Sequence, residues 1–337
     1  DSFIPVMFDF DNSELYAVSN VGRDKRALVK YNPLTKKETG VVYVNDEVDI
    51  HDFIVSYKQK SVLAVSYETD DVQMHYLDNE FEAMSHRIDE KLQTRHWGLI
   101  GSPDKDVLLL YTDSDKSYGS YYLYDRNGDK LDKIFDNQSN IDEKSMADMQ
   151  PISFKSRDGL TIHGYLTLPK GVSPKQLPVV VNPHGGPWSR DSWGYNMEVQ
   201  LLASQGYAVL QLNFRGSTGY GKAFEHAGDK QWGLTMQNDI TDGVNWLINR
   251  GTADPERVAI FGASYGGYAT LAGMTFTPDL YAAGVDFVGP SNLLSFLNTM
   301  PPYWENSRPS MYHLIGDPVK DKKLLESISP LFHVDQI

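Results

Sequence analysis

Residues 257–272 read Arg257-Val258-Ala259-Ile260-Phe261-Gly262-Ala263-Ser264-Tyr265-Gly266-Gly267-Tyr268-Ala269-Thr270-Leu271-Ala272. An apolar run leads into small residues around one serine, and Gly267–Ala272 can continue as a helix. Gly262-Ala263-Ser264-Tyr265-Gly266 fits the pattern G-x-S-x-G, a nucleophile elbow. Such a turn between strand and helix strains the serine backbone, and Gly262 and Gly266 give the room it needs. Ser264 Oγ is then expected to project from the carboxyl edge of a sheet, at the N-terminus of a helix. A glycine-rich structural turn would carry the same letters. The strand before it and the helix after it select the elbow.

Working outward, residues 146–337 alternate strand-like and helix-like patterns. Pro178–Asn182, Tyr207–Leu212, Arg257–Phe261 and Ala282–Val288 are apolar runs of the buried parallel type. Residues 196–205 read as a helix that stops at Gly206. Residues 237–250 place Ile240, Val244, Leu247 and Ile248 on one helical face, with Gly251 as its stop. This is a doubly wound α/β pattern. His184-Gly185-Gly186-Pro187 follows the first strand of the set. Acyl transfer needs hydrogen-bond donors aimed at a developing oxyanion. A backbone amide here is expected to converge with that of Tyr265, the residue after the serine; alone, the same four residues would also make a plain tight turn.

Residues 1–145 read as all-β. Short runs rich in Val, Leu and Tyr alternate with turns of Asp, Asn, Gly and Lys. Leu15, Leu63 and Leu109 each sit in a strand followed by a polar turn, a second strand and another turn. Their spacing of about 46–48 residues suits one four-stranded propeller blade, although an ordinary meander fits too. Three blades do not close a ring, so further N-terminal sequence is expected. A polar connector spans 136–148 and is the expected hinge. The net charge of −14 weighs against nucleic acid or an anionic membrane as partner. With no cysteine, a thiol nucleophile, disulfides and Cys-based metal sites are excluded. No cofactor is expected.

Four segments together resemble the prolyl oligopeptidase family, in its acylaminoacyl-peptidase and dipeptidyl-peptidase branch. They are Ser153–Leu166 (SFKSRDGLTIHGYL), His184-Gly185-Gly186-Pro187, Asn213–Gly221 (NFRGSTGYG) and Gly262–Tyr268 (GASYGGY). The resemblance implies an α/β-hydrolase domain over 146–337, C-terminally incomplete, preceded by part of a β-propeller of about three blades over 1–145. It implies a serine peptidase acting on short peptides, with Ser264 as nucleophile and the Gly186 and Tyr265 amides as oxyanion hole. Relatives that carry Tyr where His184 stands use its hydroxyl; His184 favours an all-backbone hole. Arg215 lies in a family loop near the site, with a substrate role and a structural role both open. Phe287, Val288, Phe296, Tyr303 and Trp304 are candidates for a substrate pocket or for core.

In this fold the triad order is Ser, Asp, His. After Ser264 only His313 and His333 remain, and Asp286 matches a structural family residue, so the triad Asp and His are expected beyond Ile337. The propeller part is expected to act as a lid that limits substrate length. A carboxylesterase and a non-catalytic propeller binding protein are the competing readings. Pro187 in place of a third Gly weighs against the first, and the intact elbow against the second. Compartment and homo-oligomer formation stay open.

Overall fold

Leu15, Leu63 and Leu109 occupy the same slot in three successive antiparallel sheets of the computed structural model, which describes residues 1–92, 96–138 and 140–337. The first sheet runs β1 (Phe3–Phe8), β2 (Leu15–Ser19), β3 (Ala27–Asn32) and β4 (Lys37–Tyr43) in sequence order. The second holds β5 (Ile50–Ser56), β6 (Ser61–Glu68) and β7 (Val72–Tyr76). The third runs β8 (His96–Ile100), β9 (Val107–Ser114), β10 (Ser117–Asp125) and β11 (Lys130–Asp136). Each repeat leucine lies in the second strand of its sheet. Tyr16, Leu28, Ile50, Val62 and Val65 pack between the first two sheets, and Leu63, Leu108, Leu110 and Tyr124 between the second and third.

The all-β expectation does not hold throughout. After β7 the chain forms helix α1 (Asn79–Leu92) instead of a fourth strand. Phe81, Met84 and Ile88 recur at helical spacing and are buried against the Leu63–Leu108 cluster. Asp78 caps the helix by accepting the Phe81 N–H at 2.8 Å. That apolar stripe was present in the sequence, and the strand-rich surroundings masked it. In the polar connector, residues 143–145 make a short 3₁₀ turn; Ser139, also in the connector, lies outside the described residues.

The chain divides into two units. One contains Asp1–Ser145 with Ser192–Tyr195 and Gly219–Ala223; the other contains Met146–Asp191, Asn196–Thr218 and Phe224–Ile337. The second is built on one six-stranded sheet of order β12-β13-β15-β14-β16-β17. Its strands are β12 (Met149–Lys155), β13 (Thr161–Thr167), β14 (Leu177–Val181), β15 (Ala208–Asn213), β16 (Ala253–Ala263) and β17 (Ala283–Phe287). Its helices are α2 (Met197–Ser204), α3 (Lys222–His226), α4 (Thr235–Asn249), α5 (Tyr265–Phe276), α6 (Leu293–Asn298), α7 (Arg308–Leu314) and α8 (Lys322–Ser327). Strands β15, β14, β16 and β17 are mutually parallel.

Val179, Val181, Val209, Leu210 and Leu212 are almost fully buried, as both-face covering of a parallel sheet requires. Each such side chain contributes roughly 1.5–3 kcal/mol by leaving water. Ile240, Val244 and Leu247 of α4 are buried on the face that the periodicity implied. Gly206 and Gly251 take left-handed backbone at the two expected helix ends. Because β14 and β16 are neighbours, the loops leaving their carboxyl ends are brought side by side. In open α/β sheets that edge is where ligands bind.

Candidate active site

Strand β16 ends at Ala263 and α5 begins at Tyr265, so Ser264 alone makes the turn. Its backbone is left-handed, with φ 56° and ψ −117°. A non-glycine residue there is strained and persists only where its surroundings over-determine it. Ser264 N–H donates to Phe287 O at 2.9 Å, and Tyr268 N–H donates to Ser264 O at 3.0 Å. Glycine is required around it. A Cβ on Gly266 would stand 2.1 Å from Pro183 O, and one on Gly262 would stand 2.5 Å from the Gly266 backbone. Gly185 passes so close that its Cβ would lie 3.6 Å from Ser264 Cβ. The Ser264 hydroxyl thus stands at the positive end of α5, beside the loop that leaves β14.

That loop is fixed by its histidine. His184 Nδ1 lies 2.8 Å from Gly185 O, and since a carbonyl only accepts, Nδ1 carries the proton. Nε2 then accepts from the Ser217 hydroxyl at 3.0 Å. The ring stacks on Phe214 with centroids 4.5 Å apart. Burial lowers the His184 pKa to about 4, so the ring is neutral near pH 7. Gly185 C=O and Gly186 N–H belong to one planar peptide group. Holding the carbonyl therefore sets the direction of the Gly186 N–H. Gly186 itself has φ 125°, where a side chain would be strained.

Gly186, Ser264 and Tyr265 line one cavity of about 440 Å³. Of the pocket candidates from sequence, Val288, Phe296 and Trp304 line it as well. Trp188, Trp232, Pro290, Ser307 and Met311 complete the wall, and no charged side chain is among them. Trp188 follows Pro187 directly and was within reach of a sequence reading. Trp232 carried no local signal; it arrives by packing edge-on against Tyr265, centroids 4.6 Å apart.

Three candidates fall elsewhere. Phe287 and Tyr303 are exposed and do not line the cavity. Arg215 is a correction of a different kind. Its Nε and Nη2 donate to the two oxygens of Asp239 at 2.8 and 2.7 Å, and its Nη1 and Nη2 to those of Asp158 at 2.7 and 3.0 Å. This double fork ties the β15 loop to α4 and to the turn between β12 and β13. Arg215 holds the Asp158 carboxyl well below the usual carboxylate range. The guanidinium is spent on these partners and acts structurally.

Neither late histidine reaches the serine. His333 Nε2 donates to Ser327 O at 3.0 Å, and exposed His313 stands 3.7 Å from Asp229. Asp286 Oδ1 accepts the Gly289 N–H at 2.8 Å and caps the turn after β17.

A six-stranded mixed sheet whose parallel strand β16 ends in a G-x-S-x-G elbow, beside a glycine loop at the same edge, defines an α/β-hydrolase. The sequence profile of the prolyl oligopeptidase family matches residues 193–337. The chain is 38% identical over 344 residues to dipeptidyl aminopeptidase BIII of Pseudoxanthomonas mexicana, covering 97% of this chain and 49% of that protein. It is 32% identical to dipeptidyl peptidase family member 6 of Caenorhabditis elegans, covering 99% of this chain and 48% of that protein. The chain is thus similar to the prolyl oligopeptidase family, with residues 193–337 matching its profile, and it spans about half the length of these curated relatives.

The fold matches solved structures of a puromycin-hydrolyzing peptidase of Mycobacterium tuberculosis (TM-score 0.81, 23% identity, 98% of this chain and 51% of that one) and of the Pyrococcus horikoshii acylaminoacyl peptidase (TM-score 0.73, 23% identity, 100% and 52%). The fold class is an α/β-hydrolase preceded by part of a β-propeller.

Proposed function

We propose that the full-length protein is a serine peptidase that cleaves short peptides through an acyl-enzyme on Ser264. Residues 1–145 are read as the propeller part and 146–337 as the hydrolase part. The reading is carried by one observation: a serine with left-handed backbone, at the turn from β16 into α5, shares an uncharged cavity with Gly186. Ser264 Oγ attacks the scissile carbonyl carbon and gives its proton to a base. The oxyanion accepts from the Gly186 and Tyr265 amides, and the positive end of α5 favours the charge. The amine leaves with a proton, and water then hydrolyses the ester. Base and orienting acid are supplied from sequence beyond Ile337, since His313, His333 and Asp286 have other partners.

Val288, Phe296 and Trp304 give the cavity an apolar wall for the side chain preceding the cleaved bond. The names of the relatives, dipeptidyl aminopeptidase and dipeptidyl peptidase, support a peptide substrate. The chain's net charge of −14 disfavours nucleic acid. The test is a fluorophosphonate probe on the full-length protein, with the adduct mapped by mass spectrometry. A single adduct at Ser264 is expected. An adduct elsewhere, or equal labelling of Ser264→Ala, refutes the assignment. Substrate length is tested with peptides of two to about forty residues that share one cleavable bond: kcat/KM should fall steeply with length, and equal rates would remove the short-peptide restriction.

A further inference from the structure

The loop that carries Gly186 ends on Asp191, and β15 holds that end. Asp191 N–H donates to Asn213 Oδ1 at 2.7 Å, and Asn213 Nδ2 donates back to Asp191 O at 2.9 Å. Two residues earlier on β15, hence on the same face of the sheet, Gln211 Nε2 donates to Asp191 Oδ1 at 3.1 Å. Two oxygens then remain: Asp191 Oδ2 and Gln211 Oε1 are both buried without a protein partner. They belong to two planar groups already joined by one hydrogen bond. If the carboxyl is ionised, both are acceptors and neither can satisfy the other. Two orphaned acceptors in one place are destabilising, because each has given up its water without gaining a partner. A single proton on Oδ2 removes both deficits.

We propose that Asp191 is held protonated and forms a two-hydrogen-bond acid–amide pair with Gln211, in which Gln211 Nε2–H donates to Asp191 Oδ1 and Asp191 Oδ2–H donates to Gln211 Oε1. This neutral pair anchors the far end of the loop that carries Gly186, so Asp191 and Gln211 are positioning residues for the oxyanion donor. The positioning role rests on the peptidase reading above; the acid–amide pair does not. The electrostatics agree. Burial raises the Asp191 pKa to about 7, against the hydrogen bond from Gln211 and the weaker pull of Arg190, the charged neighbour on its own loop. The groups that meet it from β15, Gln211 and Asn213, are neutral. His184 secures the near end of the loop and Asp191 the far end, with Gly186 between them.

The pair predicts an unusual outcome for an isosteric change. Asp191→Asn swaps the acid for an amide that makes the same two hydrogen bonds without ionising. In the full-length protein it should keep kcat within about threefold of wild type and retain that activity at alkaline pH, where ionisation of wild-type Asp191 loosens the loop. Asp191→Ala and Gln211→Leu should each lower kcat by roughly 10- to 10²-fold, as a displaced catalytic group does, with KM little changed.

Infrared difference spectra, wild type minus Asp191→Asn, read the pair directly. A protonated-carboxyl stretch should appear at about pH 5, shift in D₂O, and fade as pH rises through about 7. Absence of that band, or an Asp191→Asn defect as deep as that of Asp191→Ala, overturns the protonated pair and assigns the site to an ionised carboxylate. The band with unchanged kcat in Asp191→Ala and Gln211→Leu overturns the positioning role. Failure of Ser264 to take the fluorophosphonate would refute the peptidase reading and leave the infrared result standing.

Discussion

Left-handed backbone at non-glycine residues serves different ends in the two units. In the first unit it occurs at Asn12, Lys36, Lys60 and Asp129. All four are polar and sit in the turns that join consecutive antiparallel strands. There it reverses the chain in few residues, and the exposed side chains avoid crowding. In the second unit two of the cases are Ser264 and Val288, at the carboxyl ends of neighbouring parallel strands, and both face the cavity. Val is β-branched and poorly suited to that conformation. Strain in the turns is local and cheap. Strain at Ser264 is sustained by its packed surroundings, such as the close approach of Gly266 to Pro183. Where strained residues converge on one cavity, chemistry is the better explanation than chain reversal.

The largest break of this comparison is at the serine. Ser264→Ala should lower kcat of the full-length protein by on the order of 10⁴–10⁶, whereas Lys60→Gly, also at a left-handed residue, should leave kcat unchanged in the same peptide assay.

A smaller loss tests the elbow's packing. Gly266→Ala puts a methyl 2.1 Å from Pro183 O, so the elbow and the Gly186 loop must separate. A shift of that size should reduce kcat/KM by on the order of 10²-fold while circular dichroism stays native. An unaffected kcat/KM would mean that the close approach has no catalytic consequence.

Stability against pH separates the two ends of the Gly186 loop. His184 has a folded pKa of about 4, below its unfolded value, so the unfolded chain binds more protons between about pH 4 and 6.5. Its contribution therefore rises with pH across that window, by about 3 kcal/mol. Asp191, at about 7 when folded, binds more protons in the folded chain between about pH 4 and 7, so its contribution falls as pH rises. The two oppose each other in the wild type. Denaturant unfolding of Asp191→Asn should show stability climbing with pH across this window, and His184→Gln should show it declining. Parallel curves for both variants would contradict the protonation states assigned to the loop.

The smallest effect concerns strain alone. Val288→Gly should stabilise by about 1 kcal/mol, because relief of a β-branched residue from left-handed backbone exceeds the unfolded-state cost of glycine and, with Val288 mostly exposed, little packing is lost. Lys36→Gly should stay within about 0.5 kcal/mol, because the relief in a turn is offset by the greater freedom of the unfolded glycine. Equal shifts for the two would erase the distinction between turn and cavity strain.

What the sequence made legible follows the range of the interactions. The elbow and the parallel strands rest on contiguous residues, and so does the second-strand slot of Leu15, Leu63 and Leu109; these could be read. Helix α1 carried its stripe at Phe81, Met84 and Ile88, but the neighbouring strands outweighed it. Arg215 lies next to the serine loop in motif order, and only the fold reveals its partners, Asp158 and Asp239, distant in sequence on either side. Trp232 reaches the cavity through an aromatic contact with Tyr265 that no spacing encodes. The Asp191–Gln211 pair needs β15 to bring two loop-distant groups face to face.

The proposed mechanism requires that Ser264 become acylated. Its most direct test is rapid mixing of the full-length protein with an activated peptide ester, followed by acid quench and mass spectrometry. A burst of about one leaving group per chain is expected, with one acyl group on the peptide that contains Ser264 and no adduct in Ser264→Ala. An acyl group on another residue, or turnover with no burst in both proteins at equal rates, would contradict it.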